Sequence, residues 1–184
     1  MKSKAFETFD HAINDATDLL EHFDQLNTNP PPPNIEVFKR ASLVMALAAL
    51  ETYFEDRIME EVDLIRSKHE QGNPLAEFMR RSLEIDLKGF HSPSTDKVLH
   101  LFRKYLDLEV SEGWKWNNFE STRAKEELNR IVKKRGDIAH RSLRPTSGGP
   151  QPQQHAVTRD DLRKHIHFIK ELVKATDTYL SEKR

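Results

Sequence analysis

Apolar residues recur at steps of three and four almost from end to end of this chain, and alternation of period two is sustained nowhere. A half-buried strand places every second residue on one face, whereas a helix needs steps near 3.6. Glycine occupies only 6 of 184 positions, and runs of β-branched residues are absent. The pattern predicts an all-α fold: one domain across residues 1–184, built as a bundle of about six helices.

The first helix is expected over Lys4 to Leu26, with Phe6, Phe9, Ile13, Ala16, Leu20 and Phe23 on its apolar face. Residues 27–34, with four consecutive prolines, form a stiff connector that no helix can cross. Asn34 is placed to cap a second helix reaching about Gln71. Its run Leu43 to Leu50 is apolar all round, which marks the central helix of a bundle. Asn73-Pro74 pairs a cap with proline at the first helical position and opens a third helix to about Lys88. Asp96 to Leu106 reads as a short fourth helix, followed by an irregular stretch to Phe119. Ser121 can cap a fifth, to about Arg141. Residues 142–157 contain Gly-Gly-Pro and Gln-Pro-Gln-Gln and read as a flexible loop. Thr158 with Asp161 forms a near capping box for the last helix, whose stripe is Leu162, Ile166, Ile169, Val173, Thr176 and Leu180.

With no cysteine, the chain has no disulfide framework, Cys-ligated zinc or thiol nucleophile. Met1 to Ala16 lacks the apolar core of a secretory signal, and eight apolar residues fall far short of the roughly 20 that cross a bilayer. A cytoplasmic protein with no membrane partner is expected. The net charge of −1 argues against a nucleic-acid partner only if it is evenly spread, and it is not. Residues 1–70 hold 14 acidic and 7 basic side chains, whereas residues 121–184 hold 8 and 15. Such asymmetry points to an anionic partner or to pairing between subunits.

The fifth helix concentrates the unusual residues. Its apolar stripe runs Ala124, Leu128, Ile131, Arg135, Ile138, so an arginine stands at a core-facing position. Arginine is rarely buried unless paired, because an isolated buried charge costs several kcal/mol or more. Arg135 is therefore a structural ion pair, a side chain that snorkels outward, or part of a site. Glu51, bordering the buried stripe of the second helix, is either an ion-pair partner for Arg135 or a plain acid on the helix flank. His140 follows Arg135 by five residues, about 140° away around an ideal helix. Either the helix loosens at Gly136, or a two-fold dimer completes the site. Asp137 is placed to orient the His140 imidazole. Lys133, Lys134, Arg141 and Arg144 make the neighbourhood basic, as phosphate contacts require or as a solvated face allows. Trp114, Trp116 and Phe119 are available to stack on bases or to pin their loop to the core. His165 and His167, two apart on a helix, fall on different faces and do not suit a metal.

Arg135-Gly136-Asp137-Ile138-Ala139-His140 resembles the Arg-x(4–6)-His signature of the HEPN superfamily. IVKKRGDIAHR and, after a loop, VTRDDLRKHIHFIKELVKATDTYL resemble the C-terminal half of the RiboL-PSP-HEPN family. ASLVMALAALETYFEDRI resembles that family's second helix. The resemblance implies a helical bundle that dimerises around the motif and, in active members, cleaves RNA with no metal or other cofactor. Arg135 and His140 take the two motif positions. Many members carry Asn, His or Asp directly after the arginine, where this chain has Gly136. The implied products are a 2′,3′-cyclic phosphate and a 5′-hydroxyl, and the implied settings are defence, toxin–antitoxin or RNA-processing systems. An antitoxin or a nucleotidyltransferase would be the protein partner of such a toxin. The alternative is a non-catalytic HEPN dimer that binds RNA or a partner protein.

Overall fold

A computed structural model describes residues 2–32, 34–70, 72–141 and 157–183, without the side chains of 139–141. It contains α1 (Lys4–Leu26), α2 (Glu36–Ser67), α3 (Pro74–Leu87), α4 (Thr95–Leu106), α5 (Ser121–Arg141) and α6 (Arg159–Glu182), with a 3-10 turn at Val110–Gly113 between α4 and α5. No strand occurs among the described residues. The all-α reading and its six helices are thus the observed fold. The expected 142–157 loop lies outside the described residues, apart from Val157, which is buried.

The helix ends follow local chemistry. Ser3 Oγ accepts from Phe6 N–H at 3.0 Å and caps α1. Asn73 Oδ1 accepts from the N–H groups of Leu75 and Ala76, with Pro74 at the first position of α3. Thr158 Oγ1 accepts from Asp161 N–H at 3.1 Å and starts α6. Asn34 does not cap α2 as expected. Its φ of 65° places it in the left-handed region, the cap position falls to Ile35, and no side chain closes the helix end. Ile35 is buried, so packing fixes the entry that a hydrogen bond was expected to fix.

α2 touches every other helix, as expected of the central element. Leu43, Leu47, Leu50, Tyr53, Phe54, Ile58 and Val62 are buried along it, in one continuous core with residues from α1 and α3–α6. The outer face of α3 is apolar: Leu75, Phe78 and Ile85 are each at least two-thirds exposed.

Among the described residues the fully buried arginine is Arg57, on α2, not Arg135, which is half-buried. Arg57 Nε donates to Asp177 Oδ1 of α6 at 3.0 Å, and Nη1 donates to Glu61. Asp177 also accepts from Ser3 Oγ at 2.5 Å and Ser3 N–H at 3.3 Å, while Glu60 accepts from Ala5 N–H at 2.6 Å. Two carboxylates thus sit at the positive end of α1, where the helix dipole favours them. Arg57 joins α2 to α6, and Asp177 joins both to the start of α1.

The aromatic segment after α4 is pinned to the core. Trp114 is fully buried and donates from Nε1 to Thr176 Oγ1 of α6 at 3.0 Å. Trp116 stacks on Phe119 at 5.0 Å, and both rings lie against Phe168. Gly113 lies so close to α6 that an added Cβ would stand 2.3 Å from Tyr179 Cβ.

Candidate functional site

The candidate site lies where α2, the α3–α4 loop and α5 meet. The loop is tied down on both sides. Phe90 is buried beneath it. Thr95, at the start of α4, donates from its N–H to Asn129 Oδ1 and from Oγ1 to the Lys125 carbonyl, each at 2.9 Å, which fastens the loop's end to α5. Lys97 Nζ donates to the His91 carbonyl.

Ser92 is the hub. Its N–H donates to Glu51 Oε2 of α2 at 2.8 Å, and its Oγ accepts from Arg135 Nη1 of α5 at 2.7 Å. Its φ is 63°, a left-handed conformation that costs a non-glycine residue on the order of 1 kcal/mol or more and persists only where surrounding contacts hold it. Glu51 and Arg135 supply those contacts. They meet through Ser92, and among the described residues no ion pair joins them directly.

His91 adds an exposed imidazole. Its Nδ1 lies 3.9 Å from Glu51 Oε1, and its side chain is 77% exposed against 20% for Glu51. Glu55, one turn further along α2, has its carboxyl pushed above the usual range by burial and then by the charges of Glu51 and Asp56. Sequence periodicity singles out neither His91 nor Ser92, because the Ser92 partners lie 41 and 43 residues away and Glu51 lies similarly far from His91 along the chain. The available signal is a polar His-Ser-Pro-Ser loop just after the aromatic Phe90 and just before a helix.

α5 remains α-helical without interruption from Ser121 to Arg141, so the helix does not loosen at Gly136. Positions 135 and 140 stay about 140° apart around its axis. The His140 and Arg141 side chains and the whole of Arg144 lie outside the described residues. Asp137 is half-buried on α5, and no hydrogen bond joins it to a described side chain. Among the described residues, a Cβ added at Gly136 would meet nothing within 4 Å.

Much of the basic charge of α5 is already paired. Arg130 holds Glu127 through two bonds of 2.8 and 2.6 Å, Lys134 faces Asp161 at 3.7 Å, and Arg123 lies over the Phe119 ring at 4.6 Å. Lys133 is exposed. His165 and His167 do separate, the first buried and the second exposed. Burial first, then the Arg130 charge, pushes the His165 pKa down to about 4; its Nδ1 lies 3.7 Å from Glu127.

An all-helical bundle that displays an Arg-x(4)-His sequence on a basic helix is the architecture of a HEPN domain. The RiboL-PSP-HEPN family profile matches residues 11–182, nearly the whole chain, and the protein belongs to that family. Searches of curated proteins and of solved structures return no match. No described helix is long and apolar enough to cross a membrane. Family membership supports a function of ribonuclease or RNA-binding type.

Proposed function

We propose that the protein is a metal-independent endoribonuclease that leaves 2′,3′-cyclic phosphate and 5′-hydroxyl ends. The observation that carries this reading is the state of Arg135. No carboxylate among the described residues pairs with it, and one of its five donors goes to a neutral serine hydroxyl. Arg57 shows what a structural arginine looks like in this fold: buried and answered by acids. Arg135 keeps donors for a phosphate, whose oxygens a guanidinium grips in a fork while charge grows in the transition state. His140 serves as the base for the attacking 2′-hydroxyl. A two-fold dimer brings both motifs to one site across the 140° that separates positions 135 and 140. Lys133, Lys134, Arg141 and Arg144 hold the RNA backbone, and Asp137 orients His140. No metal or cofactor takes part.

The deciding experiment is incubation of purified protein with varied RNAs in EDTA, beside His140→Ala. Cleavage by the wild type alone supports the reading. Absence of cleavage, or equal cleavage by both proteins, sinks it. The setting we assign is cytoplasmic defence, toxin–antitoxin function or RNA processing, with an antitoxin or nucleotidyltransferase as the protein partner of a toxin.

Gly136 favours a second reading. A glycine stands where many relatives have a polar side chain, and a non-catalytic dimer that binds RNA or a partner protein has no need of one there. It predicts RNA retention without cleavage.

A further inference from the structure

We propose that His91 is the proton donor to the leaving 5′-oxygen, held in position by Glu51; this rests on the ribonuclease reading. Four observations converge on it. His91 adjoins Ser92, whose hydroxyl is bound by Arg135, so an RNA phosphate gripped by that guanidinium lies beside the loop that carries the imidazole. The ring is 77% exposed, open to a substrate. Its Nδ1 lies 3.9 Å from Glu51 Oε1, an ion-pair distance beyond that of a hydrogen bond, and we assign Nε2 as the nitrogen that serves the substrate. The same carboxylate accepts the Ser92 N–H, and Lys97 holds the His91 carbonyl, so the ring is carried on a fastened backbone.

The step balances without any further reactant. The 2′-oxygen forms a bond to phosphorus as its proton passes to a base, and the bond from phosphorus to the 5′-oxygen breaks as that oxygen takes the proton of His91. The base ends protonated and His91 ends neutral, and exchange with water resets both. Arg135 and His91 then act within one protomer, and only the base has to come from elsewhere on the α5 motif.

A sulfur substitution tests this directly. An RNA that the wild type cleaves is resynthesised with sulfur in place of the leaving 5′-oxygen at the mapped position, and both substrates are cleaved in EDTA. A thiolate departs without being protonated, because a thiol is far more acidic than an alcohol. His91→Ala should lose roughly 100-fold or more on the oxygen substrate. It should return to within roughly 10-fold of wild type on the sulfur one, while His140→Ala stays slow on both. His91→Gln gives the same readout should the alanine variant fold poorly. A His91 variant as active as wild type on the oxygen substrate, or equally impaired on both, overturns the assignment and leaves the ribonuclease reading standing. A wild type that cleaves no RNA overturns both.

Discussion

Arg57 Nε and Asp177 Oδ1, 3.0 Å apart in the core, bind the middle of the central helix to the last helix. Removing one partner of a buried pair strands the other charge, at a cost of about 3–5 kcal/mol. Arg57→Ala should lower stability by about that much, read by chemical denaturation. Arg135→Ala, which deletes one bond to a serine hydroxyl, should cost about 1 kcal/mol. A loss at Arg135 as large as that at Arg57 would assign Arg135 to the core and remove the main support for an RNA site.

Gly136 offers a contrasting expectation. Its added Cβ meets nothing within 4 Å among the described residues, and the helix runs through it unbroken. Gly136→Ala should raise stability by about 0.5–1 kcal/mol, since glycine is a poor helix former. Gly136→Asn places a polar side chain directly after the arginine, the pattern that the family resemblance sets there. If the polar side chain assists catalysis, cleavage in EDTA should rise without a change in fold.

Gly113 should behave the opposite way. A methyl group there collides with Tyr179 Cβ, an atom set by the backbone of α6 and unable to swing aside. Gly113→Ala should lower stability by about 1–3 kcal/mol, as overpacking of a tight contact does. A thermal melt beside that of Gly136→Ala makes the comparison within one protein.

His165 gives the fold a pH dependence of defined sign. Its pKa lies at about 4 in the folded protein against an ordinary value of 6.5, so between these values the unfolded chain binds a proton that the folded one refuses. Stability should fall as pH drops from 6.5 to 4, by an amount on the order of 3 kcal/mol from this group. Neither ring nitrogen finds a hydrogen-bond partner among the described residues. His165→Leu should therefore flatten the profile, measured as denaturation midpoints across pH. A profile unchanged by the substitution would assign the acid sensitivity to the carboxylates, among them Glu127 and Asp161, whose pKa values are lowered.

Lys133 is exposed on the α5 surface, whereas Arg130 and Lys134 face carboxylates. Lys133→Ala should leave the melting temperature unchanged and weaken RNA binding. The slope of log affinity against log salt should become shallower by about 0.7, as loss of one phosphate contact on a single strand requires. An unchanged slope would move the RNA path off this face.

The helices were legible from the sequence because each buries a stripe against its neighbours, and a stripe is a local, periodic record of burial. Asn73, Thr158 and the apolar face of α1 read directly. The loop residues of the site did not. Ser92 acquires its role from Glu51 and Arg135, which reach it from 41 and 43 residues away, and nothing in the spacing of a tetrapeptide records such a contact. Periodicity points to position 135 as the core-facing arginine because it interrupts an apolar stripe. Arg57 does the same on α2, with Glu61 four residues on as the sign of a helical ion pair, but the long apolar run before it draws attention away.

Glu51 and Arg57 share α2, six residues and so about 9 Å apart along its axis. An α-helix resists stretching, so α2 acts as a rigid ruler between the ion cluster that locks the bundle and the carboxylate that holds Ser92. The bundle can tilt or shift as its neighbours drift, yet the spacing between lock and site stays fixed. Changes on α1 or α6 that disturb Arg57 therefore reach the candidate site as a displacement of the whole ruler, and compensation for them is to be sought in the α3–α4 loop, which meets Glu51 through Ser92.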